Sequence, residues 1–197
     1  MKKLVFVITL GLLISLPTYG KSITPPLGLS WGMNKGEVEK QADGVSLLEE
    51  QGHRLRNYYL KNPSEKIDGM DGYSVYIDDK YGLVSVEMLQ SINDDANGSK
   101  IKKRYETIKN ALSKKYGKPD SIEYVNNDRV SFYKCLSSSE CGNMYSFFTG
   151  TNGQVYVSIN SMGDDYGQIY IRYKVSEFDK TISEIQKQET DELSESL

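Results

Sequence analysis

The sequence predicts an α+β fold: a single domain with a mainly antiparallel sheet and about three helices packed on one face of it. Three observations lead to this prediction. Three segments carry helix signals, groups of short alternating apolar and polar segments lie between them, and no linker or shift in composition divides the chain. Strands that follow one another through short turns pair antiparallel, and helices then cover the apolar face of the sheet.

The first helix is predicted to begin after Asn34 and to stop at Gly44. Asn34 is a favourable N-cap residue, and Glu37 stands at the spacing of a capping box. A residue of each type at these positions satisfies backbone N–H groups that the first helical turn would otherwise leave unpaired. The start of this helix is therefore better defined than its end.

The clearest helix follows a predicted N-cap at Ser99 and ends at Gly117, because glycine suits the left-handed position after a helix. A last helix is predicted to open at Ser176, and residues 191–197 are predicted to form a polar C-terminal tail. The apolar residues of the clearest helix recur at the spacing of one helical face; they are Ile101, Tyr105, Ile108 and Leu112.

Strands are predicted between these helices. The first group is GHRLRNYYLK, GYSVYID and LVSVEMLQ, within residues 52–90. The second group is SIEYV, RVSFYKC, MYSFFTG, QVYVSIN and GQIYIRYKV, within residues 121–175, and Asn, Asp, Gly and Ser turns separate its members. Each half of the chain begins near a helix and continues into strands, although the sequence does not require a repeat.

Residues 1–20 have the pattern of a cleavable signal peptide. Lys2 and Lys3 precede an apolar run from Leu4 to Leu16, and cleavage is expected after Gly20. The run is shorter than the ~18–20 residues that span a membrane, so no stable membrane anchor is expected. These features predict a periplasmic or secreted protein with one domain over residues 21–190.

Cys135 and Cys141 are the only cysteines of the chain, and they are predicted to form a disulfide. Export places them in an oxidising compartment, where paired thiols persist as disulfides. A zinc site would need about four ligands, and His53 is the only histidine. The spacing also differs from the C-x-x-C pattern of redox proteins. No metal, cofactor or catalytic residue is predicted.

The charge of the chain argues against a nucleic-acid partner. The sequence has 24 Lys and Arg against 27 Asp and Glu, and removal of the signal peptide makes it more acidic. Proteins that bind nucleic acid neutralise phosphates with clustered Lys and Arg side chains, and no such cluster stands in the sequence.

Two short motifs suggest chemistry that the sequence supports weakly. GLSWG, residues 28–32, matches the G-x-S-x-G pattern of serine hydrolases through Ser30, with His53 as the only available base. NDDANGSKIKKR, residues 93–104, resembles the spacing of a calcium loop, but Arg104 stands where a bidentate Glu is needed. The first segment is explained more simply if Leu29 and Trp31 anchor the N-terminal segment to the core, and the second if it is a hydrophilic turn that leads into the helix capped by Ser99.

A broader pattern is also present. LGLSWGMNKGEVEK, followed by LSKKYGKP, a cysteine pair and strands ending in IYIRYK, resembles a recurrent pattern of small secreted bacterial proteins of unknown function. The resemblance covers most of the chain after the signal peptide. It implies bacterial export and one α+β domain, and it implies no reaction.

These observations favour an exported, non-enzymatic binding protein. Fifteen tyrosines can supply a recognition face, because tyrosine combines a large contact area with a polar tip. A protein partner in the cell envelope is favoured over a small ligand, with an inhibitor or an immunity-type protein as the model. The alternatives are an envelope hydrolase that uses dispersed carboxylates and a calcium-stabilised module.

Overall fold

The structure is a computed structural model that describes residues 20–126 and 130–196. The predicted signal peptide therefore lies outside the described residues except for Gly20. Within the described residues, no helix is both long enough and apolar enough to cross a membrane.

One eight-stranded antiparallel sheet forms the centre of the fold, in the order β1-β2-β3-β4-β8-β7-β6-β5. The sheet dominates the structure, so the predicted α+β class holds only roughly. Its strands are β1 (Ala42–Gln51), β2 (Leu55–Pro63), β3 (Gly72–Asp78), β4 (Gly82–Ile92), β5 (Asp120–Val125), β6 (Gly142–Thr149), β7 (Gly153–Ser161) and β8 (Gly167–Val175). The helices are α1 (Lys35–Glu39), α2 (Ser99–Tyr116), α3 (Phe132–Leu136) and α4 (Ser176–Ser196).

The sheet consists of two halves with the same order of elements. In each half a helix precedes four consecutive strands, α1 before β1–β4 and α2 before β5–β8. The last strand of each half lies at the centre, where β4 pairs antiparallel with β8 over Ser85–Ile92 and Gly167–Lys174. The halves are thus arranged about an approximate two-fold axis between β4 and β8. The outer strands, β1 and β5, are the two edges of the sheet.

The main core lies between one face of the sheet and helices α1, α2 and α3; this face is called the α2 face below. Alternate residues of the inner strands, β2–β4 and β6–β8, point into this core, as expected for a pleated strand with a period of two. The fully buried side chains of α2 are Ile101 and Tyr105, and α3 adds Phe132 and Tyr133. The strands contribute, among others, Val75, Val86, Met88, Phe148, Val155, Val157, Ile169 and Ile171.

Helix α4 packs on the opposite face, the α4 face, which corrects the prediction that the helices share one face. Phe178 and Ile185 form a second buried cluster with Leu55, Tyr76 and Val84. A β-bulge between β3 and β4 explains part of this arrangement, because the register shift at Ile77↔Leu83 leaves Val84 as the extra residue. Which face a helix covers depends on how the chain crosses the sheet edge, and periodicity does not contain that information.

Three local predictions also need correction. Gly44 lies inside β1 and is not the stop of the first helix, which ends at Glu39. The predicted strand RVSFYKC begins at Arg129, outside the described residues, and its described part is not a strand. Phe132–Leu136 form α3 instead, with Ser131 accepting a hydrogen bond from the N–H of Lys134. Helix α4 continues through Ser196, so the predicted polar tail is helical up to that residue.

Candidate functional site

A strip of aromatic side chains lies on the α4 face of the second half; it consists of Tyr145, Phe147, Tyr156 and Tyr170. The positions alternate with core residues such as Phe148, Val155 and Ile171, so the strip points away from the main core. All four side chains are partly exposed. Helix α4 packs on β4 and β8 at the other end of this face.

The rings of the strip form one connected surface across β6, β7 and β8. The ring centroids of Tyr145 and Phe147 are 5.4 Å apart, and those of Phe147 and Tyr156 are 4.9 Å apart. Tyr156 then reaches Tyr170, with 6.0 Å between centroids. These distances fall within the range of favourable aromatic pairs. The cross-strand pairs therefore hold one another in place and present a rigid apolar surface.

An ion pair fixes the end of the strip at the middle of the sheet. Glu87 of β4 is 9% exposed and accepts hydrogen bonds from the Tyr170 hydroxyl, at 2.6 Å, and from Nε of Arg172, at 2.7 Å. Ser74 donates to its second oxygen, at 3.2 Å. Because Glu87 and Arg172 are paired with each other, this end of the strip carries no unpaired charge.

Electrostatics keep Arg172 charged and the Tyr170 hydroxyl protonated. Burial opposes the charge of Arg172, but the Glu87 carboxylate and the neighbouring tyrosines raise the pKa of Arg172 above its usual value. Burial, followed by the negative charge of Glu87, raises the pKa of Tyr170, so its hydroxyl stays protonated and remains a donor. The guanidinium of Arg172 also lies 5.4 Å from the Tyr170 ring centroid and 5.3 Å from that of Phe178. Arg172 therefore separates the strip from α4.

A recess of about 420 Å³ adjoins the strip at the opposite end. Tyr145 and Tyr156 line it together with Asn143, Ser158 and Asn160, and the start of the disulfide loop forms one wall. The disulfide loop is residues 135–141. A second depression of about 320 Å³ lies over the strip itself, and its lining residues are Phe147, Gln154, Tyr156, Tyr170, Arg172 and Lys174. The strip thus lines two concave regions on the same face.

The disulfide prediction is confirmed, because Cys135 and Cys141 are bonded. Cys135 is fully buried at the end of α3, and Cys141 directly precedes β6. The bridge closes the connection between α3 and β6, and its loop borders the recess. Its place in the structure therefore links the one predicted covalent feature to the candidate site.

Ser30 and His53 lie in two different turns, outside the aromatic strip. Ser30 is exposed in the turn before α1, and the His53 side chain is 97% exposed in the β1–β2 turn. His53 has a positive φ of 56°, so it belongs to the turn and not to the strand in which the sequence placed it. Trp31 donates a hydrogen bond from Nε1 to the Ile23 carbonyl, at 2.8 Å, which confirms its expected anchoring role.

The segment that resembles a calcium loop caps α2 instead. Asp95 is 3% exposed, and its carboxylate accepts hydrogen bonds from the N–H groups of Lys100 and Ile101 and from the Tyr133 hydroxyl. This corrects the prediction that Ser99 is the N-cap. The ammonium group of Lys100 donates to the carbonyl of Asp94, at 2.8 Å. Among the described residues, no cluster of three or more His, Cys, Asp or Glu is placed to hold a metal.

The carboxylates with shifted pKa values are all in structural networks. A general acid for hydrolysis needs a raised pKa. For every described Asp or Glu with a resolved shift, hydrogen bonds and cations lower the pKa below its usual value. For Glu123, burial opposes ionisation, but Lys109 and Tyr105 lower its pKa. The other three are Glu50, Asp78 and Asp95. Each of these four lowered pKa values therefore has its cause in a structural contact of the carboxylate.

Sequence reasoning anticipated tyrosines on a recognition face but could not select them. The useful signal was the alternation in β6, β7 and β8, where aromatic or aliphatic residues occupy both alternating sets of strand positions. One set must face solvent if the other fills the core. No protein-family model matches the chain, and no similar curated protein or solved structure was found.

Proposed function

We propose that the chain is an exported, non-enzymatic binding protein whose aromatic strip contacts a protein partner, as in an inhibitor or an immunity-type protein. One observation carries the proposal: four adjacent aromatic side chains remain partly exposed on a sheet face, although α4 of the same chain covers the other end of that face. A contiguous exposed apolar surface of this kind is typical of interaction sites.

The composition of the surface favours a protein partner. Around the strip stand the amide and hydroxyl side chains of Asn143, Gln154, Ser158 and Asn160, and a further cation that stands there, Lys174, is paired with Asp179. Binding loops of antibodies use the same residue types, because tyrosine gives rigid contact area and Asn and Ser give adaptable hydrogen bonds. Interface cores are also depleted in free charge, and the charge of Arg172 is paired with Glu87.

The side chains of the strip are preorganised for binding. Its side chains stand on three paired strands, and their rings contact one another and Arg172. A surface that is ordered before binding loses less conformational entropy when a partner docks. This property suits an inhibitor, which must bind tightly without the help of a large conformational change.

The place of action is proposed from the signal peptide pattern and the disulfide together. A disulfide is stable in the periplasm or outside the cell, and the amino-terminal pattern predicts export to those compartments. The partner is therefore expected to be a protein of the cell envelope or of the surrounding medium. No nucleic-acid partner and no cofactor are part of the proposal.

Affinity capture tests the proposal. Tagged protein beginning at Lys21 would be incubated with native envelope extract, and bound proteins would be identified and quantified by mass spectrometry. The test variant is Phe147→Asp, which places a charge in the strip. The matched control is Tyr59→Asp on the same sheet face in the first half, where Tyr59 is 39% exposed. Melting curves of both variants would show that each is folded.

The proposal expects one stoichiometric partner that the wild type and Tyr59→Asp retain and that Phe147→Asp loses. Loss of a central aromatic contact typically weakens binding by 2 kcal/mol or more, about thirtyfold. Equal capture by both folded variants would contradict the use of the strip. Greater loss with Tyr59→Asp would place the interface on the first half.

A further inference from the structure

We infer that the recess beside the disulfide loop binds an uncharged sugar of the N-acetylhexosamine class. This site adjoins the proposed protein contact and shares with it Tyr145, Tyr156 and the polar side chains of Asn143, Ser158 and Asn160. The inference does not rest on the protein partner, since it follows from the lining of the recess alone.

The lining excludes ions. The residues that form the recess are Leu, Ser, Gly, Asn, Met, Tyr and Ile, and none of them is Asp, Glu, Lys, Arg or His. A charged ligand would lose part of its hydration there without gaining an opposite charge, which is unfavourable. Phosphates, carboxylates and ammonium groups are therefore poor ligands for this recess.

The lining also argues against a purely apolar ligand. Asn143 donates from Nδ2 to the Tyr124 hydroxyl, at 2.9 Å, which leaves its Oδ1 as an acceptor. Asn160 accepts from the Ser158 hydroxyl through Oδ1, at 3.1 Å, which leaves its Nδ2 as a donor. The recess thus offers one amide acceptor and one amide donor, the complement of the N–H and C=O of an acetamido group.

Two aromatic rings complete a site for a sugar ring. Tyr145 and Tyr156 lie 6.0 Å apart between centroids and are tilted by 41°. Such rings pack against apolar C–H surfaces, while the hydroxyls of a sugar turn toward polar groups and water. The volume of about 420 Å³ falls within the usual range of small-ligand sites, roughly 300–1,000 Å³.

The disulfide loop gives the recess a fixed wall. Leu136 and Ser137 line the recess within the loop closed by Cys135 and Cys141. The Ser137 hydroxyl donates to that of Ser161, at 3.2 Å, and so ties the loop to the end of β7. A ligand site needs a wall that keeps its position, and this cross-link supplies it.

The test is a nuclear magnetic resonance titration of ¹⁵N-labelled protein that begins at Lys21. The probes are the β-1,4-linked tetramer of N-acetylglucosamine, N-acetylglucosamine itself, and a glucose tetramer that lacks the acetamido group. The test variant is Asn160→Asp, which replaces the amide donor with a charge on an exposed side chain. The control is Gln186→Glu, the same type of change at an exposed position of α4.

The N-acetylglucosamine tetramer is expected to shift the amide signals of Asn143, Ser158 and Asn160. Asn160→Asp should weaken this binding about tenfold, the effect of one lost hydrogen bond to a polar ligand, and Gln186→Glu should not. Tighter binding of the tetramer than of the monosaccharide would indicate a glycan chain as the natural source, and the reverse order a free sugar.

Three results would overturn the inference. They are no shift at roughly 10 mM sugar, where even a weak site would respond, equal binding of the glucose tetramer, and shifts that map outside the recess. Each of these results leaves the protein-capture experiment unaffected, so failure of the sugar site is distinguishable from failure of the proposed function.

Discussion

The two halves of the sheet share their order of elements but differ in how their α4 face is covered. In the first half, Leu55, Tyr76 and Val84 lie beneath Phe178 and Ile185 of α4. In the second half, the aromatic strip occupies the corresponding face and remains partly exposed. Helix α4 thus covers the apolar side chains of the first half but not the aromatic strip of the second half. This contrast makes the strip a candidate interface.

The connections of the two halves differ in a related way. A tight turn at residues 52–54 joins β1 to β2, whereas α3 and the disulfide loop separate β5 from β6. Gly52 has a positive φ of 54°, and a Cβ there would meet Ile185 at 2.7 Å, so the first turn lies close under α4. The β1–β2 turn of the first half therefore packs against α4, whereas the β5–β6 connection of the second half lines the recess.

The largest expected loss of stability comes from removing the contact of α4 with the first half, which Phe178 makes. Phe178→Ala should destabilise the protein by about 3–5 kcal/mol, because it leaves a cavity against Tyr76 and Arg172. Urea unfolding followed by circular dichroism measures the change. Leu193→Ala at the exposed end of α4 is the control and should change stability by no more than about 0.5 kcal/mol. Equal effects would mean that α4 does not close this half.

The second-largest loss of stability is expected from substitution of Glu87, which pairs with Arg172 at the boundary between the halves. Glu87→Ala leaves Arg172 without its partner and is expected to cost about 3 kcal/mol, the lower end for a buried pair because Arg172 is partly exposed. Glu87→Gln keeps an acceptor for the Tyr170 hydroxyl and should cost less. Chemical unfolding of both variants decides this point, and a larger loss for Glu87→Gln would contradict the role given to the ion pair.

The disulfide loop gives a smaller effect that is confined to the second half. Cys135→Ala with Cys141→Ala should lower stability by about 2.4 kcal/mol on the loop-entropy model. Hydrogen exchange should rise in α3 and β6 and stay unchanged in β1 and β2, because the bridge closes only the α3–β6 connection. A uniform rise across both halves would show that the bridge supports the whole sheet.

The smallest expected effect is a pH dependence that belongs to the first half. Burial opposes ionisation of Asp78, but Arg54 and the N–H groups of Lys80 and Tyr81 lower its pKa below the usual value. A lowered pKa in the folded state stabilises the protein above the unfolded pKa of about 3.9, and this contribution is lost as the pH falls through the folded value.

The measurement is stability between pH 7 and pH 2, compared with Asp78→Asn. The variant should lose about 2 kcal/mol at pH 7, within the range for hydrogen bonds to a charged group, and the two stability curves should converge in acid. Parallel curves over the whole range would show that Asp78 does not contribute in this way.

Much of the fold could be predicted because local signals and tertiary structure agree. Strand β3 occupies the predicted residues 72–78, since Tyr, Val and Ile alternate there between Gly72 and Asp78. The apolar stripe of α2 likewise supplies Ile101, Tyr105 and Leu112 to the core. In these segments the periodic pattern alone decides the structure.

The errors have particular physical causes. Strand β1 is an edge strand with mostly exposed residues, so it lacks a strong apolar pattern. Phe132 and Tyr133 have high β propensity, but the Ser131 cap and the disulfide place them in a helical turn. The strip could not be separated from the core by sequence, because only the path of α4 across the sheet determines which tyrosines stay exposed.

Hydroxyl-radical footprinting, read by mass spectrometry, tests the central claim most directly. Protein beginning at Lys21 would be oxidised alone and after incubation with native envelope extract. The account predicts that oxidation of Phe147, Tyr156 and Tyr170 falls on incubation, while that of Tyr59 in the first half stays the same. Unchanged oxidation of the strip, or an equal fall at Tyr59, would contradict the assignment of the second half as the binding surface.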